Sequence, residues 1–169
     1  MTALVPIIVS SYRSDEVDRV VAFEMGVDDY VSKPFSVREL VLRVDAVLRR
    51  APRLERSWPG ILEFGALRID AIAHRVWVYG QESDLTALEF NLLVYLLEGR
   101  DRVRTREELL RAVWGVNAAL TTRTVDTHVR RLRAKLGDAS AYVETVRGVG
   151  YRFIEHPPAR DSKPPSGSA

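Results

Sequence analysis

The sequence predicts two units of different class: a β-α-β-α piece of an α/β fold over residues 1–50, and a larger α+β unit over residues 61–156. Three observations carry this. Residues 5–11 (VPIIVSS) are a β-branched run without alternation, as in a buried parallel strand. Thr86, Thr105 and Thr122 each open an amphipathic run, the first two with a Glu three residues on, which is the capping-box spacing. Residues 142–153 (YVETVRGVGYRF) are two β-branched and aromatic runs around Gly148 and Gly150, a hairpin.

Taken in order, the strand over 5–11 leads to a helix from Ser14 as N-cap, with Val17, Val20, Val21 and Met25 on one face and Gly26 as its stop. Tyr30 to Ser32 reads as a second strand. A helix then runs from Ser36 to Arg50, with Ser36 and Glu39 as a capping box, Phe35 and Leu40 as a hydrophobic staple, and Leu40, Val41, Val44, Val47 and Leu48 as its apolar stripe. Residues 51–60 (APRLERSWPG) lack periodicity and read as a linker. Short strands follow at 61–64, 66–69, 75–79 and near Asp84, then helices over 86–98, 105–114 and 122–136, then the hairpin. Residues 157–169 are rich in Pro, Ser and Gly, the composition of a disordered tail.

With 46% hydrophobic and 28% charged residues, the chain has an ordinary globular composition. It has no cysteine, so disulfides and thiolate chemistry are excluded. His74, His128 and His156 lie too far apart to form a metal-ligand spacing, and no cofactor is expected. No nucleophile–base pair or phosphate-cradling glycine loop supports an enzyme; Gly148 and Gly150 lie between strands rather than before a helix. No apolar run is long enough to span a membrane and no secretory signal is evident, so a cytoplasmic location is expected.

The net charge is only +2, but residues 121–136 hold Arg123, Arg130, Arg131, Arg133 and Lys135 against the single acid Asp126. Such a basic stripe suits a polyanion. Val125, Val129, Leu132 and Leu136 make the buried face of that helix, leaving Arg123, Thr127, Arg130, Arg131 and Ala134 to project outward. Outward arginines on a helix that follows a short helix and a turn suit a DNA major groove; a solvated charged face has the same pattern. Arg147 at the hairpin tip is the kind of cation that enters a minor groove, and it favours the first reading.

TVDTHVRRLRAKL followed by VETVRGVGYRF resembles the recognition helix and wing of the OmpR/PhoB-type response regulators, with LTALEFNLLVYLL and TREELLRAVWG similar to the two preceding helices. The resemblance runs from about Leu62 to Glu155. It implies a four-stranded sheet, three helices and a wing, hence a winged helix-turn-helix domain over residues 61–156 that binds double-stranded DNA and regulates transcription. It places DNA contacts on Arg123, Thr124, Thr127, His128, Arg131, Arg133, Thr145 and Arg147, and phosphate contacts on Arg130 and Tyr151. His128 has an equal reading as a partly buried residue beside Val129. The loop from Trp114 to Leu120 matches one that can face RNA polymerase, although a Trp there is more often core.

Residues 1–50 resemble the end of the family's flavodoxin-like receiver domain, from its fourth strand to its last helix. On that resemblance Ser11 is the hydroxyl that senses a phosphoryl group, Tyr30 the switch aromatic and Lys33 the phosphate-pairing cation. The acids that hold Mg²⁺ and the phosphoacceptor aspartate fall on receiver strands with no counterpart in residues 1–50. Arg19 with Glu39, and Asp29 with Arg43, match ion pairs of the receiver dimer face. Residues 1–50 are expected to be marginally stable alone, because a two-stranded parallel sheet leaves an apolar edge open. Three readings follow: a sequence-specific transcription factor without its own phosphoacceptor, an interaction partner that pairs with an intact regulator through the dimer face, or a fragment of a two-domain regulator.

Overall fold

The computed structural model describes residues 5–50, 60–115 and 122–157. The linker over 51–59, the loop over 116–121 and the tail beyond 157 lie outside the described residues.

Strand β1 (Ile8–Ser11) pairs in parallel with β2 (Asp29–Ser32), Ile8 opposite Asp29 and Ser11 opposite Ser32. Helix α1 (Glu16–Glu24) joins them and α2 (Val37–Arg50) follows. α1 starts later than the sequence suggests. Asp15, not Ser14, is its N-cap, and Asp15 makes no side-chain capping bond. At α2, Ser36 Oγ does accept from Glu39 N–H at 3.0 Å, but the Glu39 carboxylate turns to Arg43. The apolar stripe expected on the buried side of α1 is largely outward: Val17 is 72% exposed, Val21 47% and Met25 76%. Phe23 is buried in their place. Among the described side chains of α2 only Val47 is buried, while Val41, Val44 and Leu48 are exposed. Periodicity marks an apolar face but not what covers it, and a two-stranded sheet is too narrow to cover both helices.

The second unit opens with an antiparallel sheet in the order β3 (Ile61–Phe64), β4 (Leu67–Asp70), β5 (Arg75–Val78), β6 (Gln81–Ser83). Leu67, Ile69 and Val76 point into the core, and Arg68, Trp77 and Glu82 stand opposite one another on the other face. Helix α3 (Ala87–Glu98) has the full capping box expected of Thr86 and Glu89. Thr105 and Glu108 form a second box at α4 (Arg106–Leu109), but that helix continues as a π-helical turn over Leu110–Trp114. Helix α5 (Thr122–Leu136) buries Val125, Val129, Leu132 and Leu136 as its spacing predicts.

A 3-10 turn (Gly137–Tyr142) then leads into the hairpin β8 (Val143–Val146) and β9 (Gly150–Phe153). The hairpin gains a third strand that the sequence does not announce: β7 (Arg104–Thr105) pairs with β9, so the order is β7-β9-β8. One apolar cluster runs through the second unit, centred on Phe90, Leu93, Leu97, Trp114, Leu132 and Phe153. It also takes in Phe23 and Tyr30 from the first unit.

Candidate nucleic-acid interface

The α5 helix carries its functional groups on three flanks. Its core stripe fixes the rotation, so Arg123 and Arg130 stand exposed and Thr127 and Arg131 half-buried. The Thr127 hydroxyl donates to the Arg123 carbonyl at 3.2 Å, one helical turn back. At the hairpin tip Arg147 is exposed, and Gly148 turns the chain with φ +74°. The helix and the hairpin are joined through Arg133 of α5, which bonds to Val143 and Thr145 of β8.

The flank facing the hairpin is a bonded network. Arg133 donates to the Val143 carbonyl, at 2.6 Å from Nη2 and 3.0 Å from Nε, and to Thr145 Oγ1 at 2.8 Å. Its guanidinium also lies 5.6 Å from the centre of the Tyr151 ring. The Tyr151 hydroxyl donates to Asp126 Oδ1 at 2.6 Å, and Arg106 Nε donates to the same oxygen at 2.7 Å. Burial, with the Asp126 carboxylate accepting its proton, holds the Tyr151 hydroxyl above the usual phenol range. Arg133, Thr145 and Tyr151, expected at the DNA surface, therefore join α5, α4 and the hairpin to one another in this conformation. Arg106 and Asp126 belong to the same network and were not singled out from sequence. The one acid in a basic helix was the available signal.

The opposite flank faces the first unit. Thr124 is 3% exposed and His128 1%, so neither is at the surface here. His128 Nε2–H donates to the Phe23 carbonyl at 2.9 Å, which fixes that tautomer because a carbonyl can only accept. The ring also meets Trp114 edge-on at a centroid distance of 5.1 Å. The reading of His128 as a buried residue describes this conformation. Trp114 is core, 1% exposed, while residues 116–120 of its loop lie outside the described residues.

In the first unit, Ser11 and Lys33 come together at the ends of β1 and β2, where Lys33 N–H donates to the Ser11 carbonyl at 2.7 Å. Lys33 Nζ sits 5.3 Å from the Tyr12 ring centre. Tyr30 is buried and its hydroxyl donates to the Arg13 carbonyl at 2.5 Å. Asp29 and Arg43, expected to pair across a dimer face, pair within the chain at 3.2 Å, and Arg43 also holds Glu39 at 3.0 Å. A carboxylate one strand away closes this pair locally before any partner arrives. No group of three potential metal ligands occurs among the described residues.

Residues 80–153 match the family model described as transcriptional regulatory protein, C terminal. The DNA-binding domain of Klebsiella pneumoniae RstA, solved in complex with RstA box, is 32% identical; the match covers 57% of this chain and 98% of that domain, with a TM-score of 0.52. DrrB of Thermotoga maritima, an OmpR/PhoB homolog, is 36% identical over 88% of this chain and 66% of its own, with a TM-score of 0.53. The chain belongs to the OmpR/PhoB-type response regulators. Transcriptional regulatory protein SrrA of Staphylococcus aureus is 47% identical over 157 residues, covering 88% of this chain; this chain spans 65% of SrrA. A RitR mutant structure is 32% identical over 88% of this chain and 65% of its own, with a TM-score of 0.70. That score exceeds what the winged helix alone gives with RstA.

Proposed function

We propose that this chain is a sequence-specific, double-stranded DNA-binding transcription factor, with α5 in the major groove and the β8–β9 tip in the minor groove. The observation that carries this is the common outward placement of Arg123, Arg130, Arg131 and Arg147 on a helix and hairpin clamped together through Arg133. A rigid pair of elements can hold base-reading and phosphate-binding cations in register, whereas independent surface arginines cannot. Thr127 is placed to touch a thymine methyl. Thr124 and His128 join the contact once their flank is uncovered. Transcription control in the cytoplasm goes with this reading.

Selection from a randomised duplex pool provides the operator and the test. Arg131→Ala should cost about 1–3 kcal/mol of affinity and relax preference at one base position. Arg130→Ala should weaken all sequences alike and flatten the dependence of affinity on salt by about one ion. Parent-like binding by both variants would refute the assignment of α5 as the reading helix.

A second reading, pairing with another regulator through residues 14–50, draws on the exposed stripe Val17, Val21 and Met25 and the exposed α2 residues Val41, Val44 and Leu48. Arg19, Asp29, Glu39 and Arg43 would rim that contact. Arg43→Ala should then abolish co-purification with a full-length regulator; retention by the variant would reject the pairing. Neither Asp28 nor Asp29 serves Ser11 and Lys33 as a phosphoacceptor in this reading. Asp28 accepts from Ile7 N–H at 2.7 Å and Asp29 faces Arg43, both at the far end of the strands from Ser11.

A further inference from the structure

Among the described residues from α3 to β9, Val149 is the one large apolar side chain that stands exposed, at 45%. A lone exposed valine is ordinary on a protein surface, so its position is what makes it informative. We propose that Val149 is a specificity-determining residue of the wing, an apolar probe of the minor-groove floor that accepts A·T pairs and rejects G·C pairs. The proposal rests on the DNA-binding function above and names what the wing reads. Thr145 and Tyr151 stand opposite each other in the β8–β9 ladder and bond to Arg133 and Asp126 of α5, so their face is the one toward the reading helix. Side chains alternate along a strand, which makes Arg147 and Val149 the next positions on that face. Gly148 turns the chain between them with φ +74°, and the Val149 N–H donates to the Val146 carbonyl at 3.0 Å. Behind the tip, Gly150 is pressed onto β7, where an added Cβ would fall 2.0 Å from the Arg104 carbonyl oxygen. Nothing lies within 4 Å of the Cβ position at Gly148. The base of the wing is therefore fixed against the domain while its tip projects into open space.

Charge and shape divide the work at that tip. A minor groove about 6 Å wide admits the side chains at the end of a hairpin rather than its two strands. Arg147 supplies attraction to the phosphates and to the negative potential of the groove. Val149 supplies neither a donor nor an acceptor. Both kinds of base pair present acceptors on the groove floor, and G·C alone adds the guanine N2 amine, which stands up from it. An isopropyl group pressed over that amine takes its donor from water and offers no partner in return. One buried, unpaired donor corresponds to about tenfold in affinity. The discrimination is thus carried by the apolar group, and the general affinity by the cation beside it.

Base analogues test this on the whole chain, because they change the minor groove and leave the major-groove edge in place. Inosine·C lacks the N2 amine of G·C, and 2,6-diaminopurine·T adds that amine to A·T. The probe is a duplex selected from the randomised pool, with the pairs under the wing located by hydroxyl-radical footprinting and then replaced. The parent should bind inosine·C as well as A·T, and G·C and 2,6-diaminopurine·T about tenfold more weakly. Val149→Asn, whose side-chain carbonyl can accept from the amine, should bring all four duplexes within about twofold and keep the salt dependence of the parent. Arg147→Ala should weaken all four, flatten the salt dependence by about one ion and keep the ratio between them. Equal binding of inosine·C and G·C by the parent would overturn the role of Val149. So would discrimination retained in Val149→Asn or lost in Arg147→Ala; each of these leaves the assignment of α5 standing. A parent that binds no duplex refutes the DNA-binding reading itself, and the role of Val149 falls with it.

Discussion

Gly150→Ala should lower the thermal midpoint of the winged helix by about 10–20 °C, from a loss at the upper end of the roughly 1–3 kcal/mol typical of overpacking. Gly150 lies in the central strand of the β7-β9-β8 sheet, paired with Thr105 on one side and Val146 on the other. A Cβ there would fall 2.0 Å from the Arg104 carbonyl oxygen and 2.9 Å from Thr105 Cα. Those are backbone atoms, so no rotamer change relieves the clash and β7 must separate from β9. The hairpin would then lose the strand that ties it to α4. Gly148→Ala is the control. Nothing lies within 4 Å of its Cβ position, so its cost is that of φ +74° alone, about 1–2 kcal/mol. Calorimetry of the two variants side by side checks the prediction, and a Gly150→Ala midpoint equal to or above that of Gly148→Ala would contradict it.

Glu89→Ala should destabilise the domain by about 2–3 kcal/mol, read from urea unfolding. The Glu89 side chain is almost fully buried, and Oε2 accepts from Thr86 N–H at 2.8 Å and from Lys135 Nζ at 2.6 Å. It thus closes the capping box of α3 and tethers the last turn of α5. Removing it strands a backbone donor, costing about 1–3 kcal/mol. Removing one partner of a fully buried pair costs about 3–5 kcal/mol, but the Lys135 side chain is 36% exposed and can turn to water, so the expected loss is smaller. Glu89→Gln keeps an acceptor for Thr86 and should recover about half. An Ala variant as stable as the parent would show that α3 and α5 are held by their apolar contacts alone.

Both predictions concern how α5 and the hairpin are held, and this is where sequence and tertiary structure divide. Helix limits and the buried stripe of α5 were legible because a 3.6-residue period and a capping box are local signals: Val125, Val129, Leu132 and Leu136 are buried, and both threonine boxes form. The outward places of Arg123, Arg130 and Arg147 followed from the same periodicity and from the hairpin turn. Arg133, Thr145 and Tyr151 bond to one another or to Asp126 and Val143, residues up to 25 positions away, and no local period encodes such a partner.

The same holds for β7, two residues long, which is a strand only because β9 lies beside it. In the receiver-like unit, the spacing of Val17, Val21 and Met25 announced an apolar face, yet that face is exposed while Phe23 is buried against α5. By itself the sequence determined the family, the order of the elements and the cationic face of α5, because these depend on residue types at short spacings. Only the tertiary structure decided that Thr124 is buried and that His128 is covered by the first unit through the Phe23 carbonyl. That outcome depends on which two faces meet, and a contact across 105 positions leaves no trace in local pattern.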